Sequence, residues 1–171
     1  IETLVSLVAY AVALAPDMAR KQRYAGFLGV LTGEENDYFE RSFAALGVPE
    51  KQWRAPRSGT LSHPVGDGFR ALMHEPVRAD DYAGVLAVLL PVEWVYLTWA
   101  SEQRDATPAR AYLKEWIDLH VDPGFAEFVG WMRAEMDALG AAADAATADR
   151  LVATFTRAVE LEVRFFDAAY D

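Results

Sequence analysis

The chain contains no cysteine. That excludes disulfide bonds, thiolate metal centres and any thiol nucleophile. It has three histidines, His63, His74 and His120, and no two of them stand at a close metal-ligand spacing. A structural metal is not expected. Basic residues are scarce: 16 Lys and Arg against 26 Asp and Glu give a formal net charge of −10. Nucleic acid needs a basic surface to meet its phosphates, and an anionic membrane likewise attracts basic segments. Neither partner is expected. Long apolar runs are few. Leu4–Ala15 is too short to span a bilayer and is followed by Pro16-Asp17, and no basic stretch precedes it as in a signal peptide. A cytoplasmic location is the expectation. Sustained alternation of apolar and polar residues is also missing, as is any repeat of fixed period, so strands and solenoids are not expected.

What is present is helical periodicity. With 53% apolar and 12% aromatic residues in 171, the chain can fill the core of one domain. Expected helices cover about 1–15, 18–31, 34–46, 67–74, 80–101, 109–120, 123–139 and 149–170. Gly33 is read as a break between the second and third. The stretch 53–68 reads as irregular, Pro76 as a stop, and 141–148 as a connector or short helix. Asp80-Asp81 and Asp122-Pro123 supply helix starts. Pro91 lies inside a helix, where the missing N–H and ring clash predict a kink or break. These elements predict an all-α bundle. The chain begins at Ile1 without methionine and already inside a helical pattern, so further residues upstream are expected.

Two acids interrupt apolar faces. Glu162 has Phe155, Ala158, Val159, Phe165, Phe166 and Ala169 at helical spacings. Glu93 has Leu86, Leu89, Leu90, Tyr96 and Leu97. Burying an unpaired carboxylate costs several kcal/mol, so such a group is protonated, hydrogen-bonded or paired. One explanation is a lysine or arginine on a neighbouring helix holding each acid. The other is a polar cavity in which two carboxyl groups with separated pKa values serve as acid and base. The rings Trp94, Tyr96, Trp99, Tyr112, Trp116, Phe165 and Phe166 read as core, or as the wall of a pocket for a flat heteroaromatic ligand. His120 ends its helix, where the dipole favours a charged imidazole. Glu34, Glu35, Asp37 and Glu40 read as a solvated face, and His63 and His74 as surface residues.

Four segments, in order, are similar to motifs of the TenA/Thi-4 family, thiaminase II-like proteins of haem-oxygenase-like helical fold. They are Pro64-Val65-Gly66-Asp67-Gly68-Phe69, Leu89-Leu90-Pro91-Val92-Glu93-Trp94-Val95-Tyr96, Tyr112 to His120 with Phe125, and Glu162 to Tyr170. The family releases hydroxymethylpyrimidine from thiamin or its breakdown products. Its usual site joins a cysteine nucleophile, a glutamate, an aspartate from an N-terminal helix and several tyrosines. The resemblance implies that Glu162, Tyr96 and Phe165 match. It puts Val92 where the cysteine stands, and Phe69 and His120 where tyrosines stand; the aspartate-bearing helix is absent. It further implies a cysteine-lacking branch in which Glu93 substitutes. The expected activity is then hydrolysis of an amino- or formylamino-methylpyrimidine by Glu162 and Glu93. Tyr96, Phe69, His120, Phe165 and Val92 would line the site, with no cofactor and, by resemblance, a homotetramer. A pocket protein that binds such a ligand without turnover is the alternative.

Overall fold

The computed structural model describes residues 1–53 and 64–168. The expectations for His63, for most of the irregular stretch, and for Ala169 and Tyr170 lie outside those residues. Everything regular within them is helical: α1 (Glu2–Leu14), α2 (Met18–Val30), a π-helical turn (Leu31–Glu35), α3 (Asn36–Ala45), α4 (Glu50–Trp53), α5 (Pro64–Arg78), α6 (Tyr82–Glu102), α7 (Ala111–His120), α8 (Pro123–Ala142) and α9 (Ala145–Asp167). The all-α expectation holds among the described residues.

Aspartates set the helix starts. The carboxylate of Asp17 accepts from Arg20 N, that of Asp81 from Gly84 N, that of Asp122 from Gly124 N and Phe125 N, and that of Asp144 from Thr147 N. Each satisfies N–H groups that have no partner within the first turn. The cap at Asp144 shortens the expected connector to Ala143 and Asp144, with α9 beginning at Ala145. Gly33 does not break the chain, because the π-helical turn carries α2 into α3. Pro64 opens α5 at a position where a missing N–H costs nothing. Pro76 does not stop that helix. It gives up a single hydrogen bond one turn from the end, and its ring is buried.

α6 is the central element. Every residue from Gly84 to Glu93 is buried, as expected of a helix covered on all sides. α1, α5, α7, α8 and α9 all pack against it. By length and composition α6 is also long and apolar enough to cross a membrane, and those neighbours explain why a bundle centre has the same composition. The helix continues through Pro91 instead of breaking there. Beside it, Tyr24 packs edge-on to Phe128 and Trp131. A polar network closes this side, with Arg20 Nε donating to Glu135 Oε1 at 2.5 Å and Tyr82 Oη donating to the same oxygen at 3.4 Å.

The junction of α5 and α6 depends on Gly84. A Cβ there would lie 2.8 Å from Asp81 Cγ and 2.9 Å from Pro76 Cβ. Gly84→Ala is therefore expected to destabilise the fold by about 1–3 kcal/mol through overpacking, although alanine is the better helix former. Urea unfolding would show it as a lower midpoint at unchanged slope.

Candidate functional site

Glu93 arrives on α6 and Glu162 on α9, the two helices that share the most extensive packing in the bundle. Their side chains are 2% and 3% exposed. Oε1 of Glu93 and Oε2 of Glu162 are buried without a hydrogen-bond partner among the described residues. No arginine or lysine holds either group among the described residues. Arg157, one of two arginines near Glu162 in sequence with Arg164, instead makes a two-pronged pair with Glu75 at 2.8 and 2.9 Å. Among the described residues, the explanation by a neighbouring cation is thereby removed.

Burial drives the electrostatics. It pushes Glu162 from the usual carboxyl range up to about 7. Glu93 rises well above its ordinary value, first through burial and then through the charges of Glu35 and Glu162. The Tyr96 hydroxyl is raised in the same way, by burial and then by Glu162, Glu93 and Glu35. The charges of Glu35 and Glu162 therefore bear on both Glu93 and Tyr96. Repulsion between such like charges opposes their ionising together.

Glu35 is the member that sequence reading missed. Grouping it with Glu34, Asp37 and Glu40 as a solvated face is corrected here. Glu34 and Asp37 are exposed, whereas Glu35 is partly buried, and burial raises it to about 7. Spacing held the signal, since Tyr24, Phe27, Leu31, Tyr38 and Ser42 are all buried and position 35 falls on their face.

The remaining expected site residues divide. Tyr96 meets His120 edge-on at 5.4 Å and Trp116 at 5.9 Å. From α9 the ring that reaches Tyr96 is Phe166, at 6.1 Å. Phe165 is 48% exposed and sits edge-on to Phe69 at 6.5 Å. Val92 and Phe69 belong to the hydrophobic core. The apolar face drawn through Glu162 is accordingly narrower than expected. Leu151 and Ala158 are buried on it, while Val159 and Phe165 look outward. His120 is also corrected: burial lowers its pKa and outweighs its hydrogen bond with the Trp116 carbonyl in the last turn of the helix. It and Glu35 line a groove of about 920 Å³ between α2, α7 and α8. Glu93 and Glu162 do not line that groove. Among the described residues no three His, Cys, Asp or Glu side chains are grouped to hold a metal ion.

Residues 4–171 match the sequence model of the TENA/THI-4/PQQC family. No curated protein matches the chain.

Proposed function

Because the chain belongs to the TENA/THI-4/PQQC family, whose haem-oxygenase-like helical fold it has, we propose that it hydrolyses a pyrimidine-containing breakdown product of thiamin. One observation supports the reading: among the described residues, one buried oxygen of each carboxyl group, Glu93 Oε1 and Glu162 Oε2, has no hydrogen-bond partner. Unpaired buried acids are costly, and a ligand with donors and acceptors would satisfy them. Glu162, titrating near neutrality, takes a proton from water. The water oxygen bonds to the exocyclic carbon of an aminomethylpyrimidine as the carbon–nitrogen bond breaks. Glu93, held protonated, gives its proton to the departing amine. The products are a hydroxymethylpyrimidine and ammonia, and proton exchange with solvent restores both acids. The charge of Glu35 helps hold Glu93 protonated. Tyr96, Phe69, Phe165, Val92 and His120 form the surroundings of the ligand. The proposal includes a cytoplasmic location and a homotetrameric assembly.

A second reading is a pocket protein that binds a heteroaromatic ligand without turnover. It is favoured by Val92, which offers no nucleophile, and by the separation of the carboxyl pair from the open groove. Incubation with thiamin and with amino- and formylamino-methylpyrimidines, followed by mass spectrometry, separates the two. Release of hydroxymethylpyrimidine supports hydrolysis. Ligand-induced stabilisation without product supports binding alone.

A further inference from the structure

We propose that the outer face formed by α8, the second half of α6 and α9 docks a second copy of this chain, across a twofold axis that runs along α6. This docking rests on the self-association proposed above and gives it a face and a symmetry. The face is apolar where the outside of a bundle is ordinarily polar. On α9, Val152, Val159, Val163 and Phe166 follow one another at spacings of seven, four and three residues, which puts them on one stripe. Phe166 packs on Trp99 of α6 at 4.7 Å, so the stripe continues onto that helix. There the exposed Thr98 leads across to Trp94. Val152, Val159, Val163, Trp94 and Trp99 are between 36% and 66% exposed. Single apolar residues scattered over a surface need no explanation, but a connected band holding two tryptophans marks a protein interaction site.

The charges at its two edges decide the partner. At the α8 edge the Arg133 guanidinium lies over the Trp94 ring, 4.0 Å from its centre. At the α9 edge Glu160 and Asp167 stand seven residues apart, on the far side of the valine stripe from α6. All three are exposed, and none makes an ion pair among the described residues. An apolar band with a base along one edge and acids along the other is complementary to itself.

The levels agree as well. Asp81, just before α6, pairs with Arg150 in the first turns of α9, and Trp99 packs on Phe166 near the ends of both helices. The two helices therefore run parallel, and Trp94 stands level with the stretch of α9 between Glu160 and Asp167. An axis along α6 keeps each level and exchanges the edges, which brings Arg133 of each copy to the two acids of the other. An axis across the helices would set the acids of one copy against the same acids of the other, and like charges so placed repel. Acids at the rim also turn the face away from an anionic lipid surface.

The test reverses the edges in the full chain and reads mass by sedimentation over a range of protein concentration. Arg133→Glu puts acid against acid. Glu160→Arg combined with Asp167→Arg puts base against base. Both changes fall at exposed positions, and circular dichroism checks that each variant is folded. Each alone is expected to weaken this association at least about tenfold, or about 1.4 kcal/mol; in a tetramer built from two kinds of face, its loss halves the mass. Mixing the two variants should restore it, because in the mixed pair every edge again sets a base against an acid. Tryptophan emission gives a second readout, and should lie further to the blue in the associated parent than in the dissociated variants, as Trp94 and Trp99 leave water. A parent that stays monomeric would overturn this docking together with the self-association it rests on. A parent that associates, with both charge variants associating as tightly, overturns this face and leaves self-association standing. Loss in both variants without recovery on mixing overturns the exchange of edges. None of these readouts depends on turnover.

Discussion

Glu162→Gln should cut pyrimidine hydrolysis by about two to four orders of magnitude, the usual contribution of a general base or acid, while the protein stays folded. Glutamine has the shape of the protonated carboxyl group that burial already favours at this position, so the core has no reason to rearrange. It cannot accept the proton of water. Glu93→Gln should be similarly damaging for the opposite reason, since an amide cannot deliver a proton to the leaving amine. The pH profiles should separate the two roles. With both acids present, kcat/KM rises through about 7 as Glu162 ionises, and falls at higher pH as the Glu93 proton is lost. Apparent values belong to the interacting set, Glu35 included. Residual turnover in Glu162→Gln should lack the acidic limb and keep the alkaline one. An unaltered profile, or a rate within threefold of the parent, would remove Glu162 from the chemistry.

Stability should fall as pH rises from about 4.5 to about 7. The sign follows from proton uptake. Glu162 titrates at about 7 when folded, against 4.5 for the free side chain. Between those values the unfolded chain loses the proton and the folded chain keeps it. The folded state then binds more protons, and raising the pH favours unfolding. A shift of this size is worth on the order of 3 kcal/mol for Glu162, fully felt above the folded value and absent below the unfolded one. Glu93 and Glu35 act in the same direction. Glu75, held below the ordinary range by Arg157, acts oppositely, and its contribution is lost as the solution becomes more acid than its folded value. Urea unfolding across pH 4.5–8 measures the slope, and Glu162→Gln should flatten it. Bound ligand that hydrogen-bonds the acids should flatten it as well, which offers a screen for the substrate independent of product detection.

The two principal acids were legible because a charge within an apolar helical face stands out, whatever the tertiary arrangement. The packing of their helices was not legible, since α6 and α9 are far apart in sequence and periodicity says nothing about which helices touch. The edges of the face around Glu162 were misjudged for a related reason. A residue three or four positions away can sit at the rim, and only the packing of α5 and α6 against α9 decides that Ala158 is inside and Val159 outside. Glu35 was hidden by its neighbours: among Glu34, Asp37 and Glu40 it reads as one charge in a polar run. At His120 two physical effects oppose each other. The helix end is visible in sequence and the burial is not, so the weaker effect was the one that could be read.

The π-helical turn at Leu31–Glu35 also bears on how the chain tolerates changes in length. Wide turns with i→i+5 bonds are single-turn features inside α-helices and recur at functional sites. Each residue of an α-helix advances the side chains by about 100°. Removing a single residue between Leu31 and Glu35 and closing the turn into ordinary α geometry would rotate α3 relative to α2 by about that angle. Tyr38 and Ser42 would leave the interior, and the carboxyl group of residue 35 would swing off the Glu93 side. An insertion or deletion here is thus a change of facing for everything downstream in α3, whereas the same change in an ordinary connecting loop alters only its length.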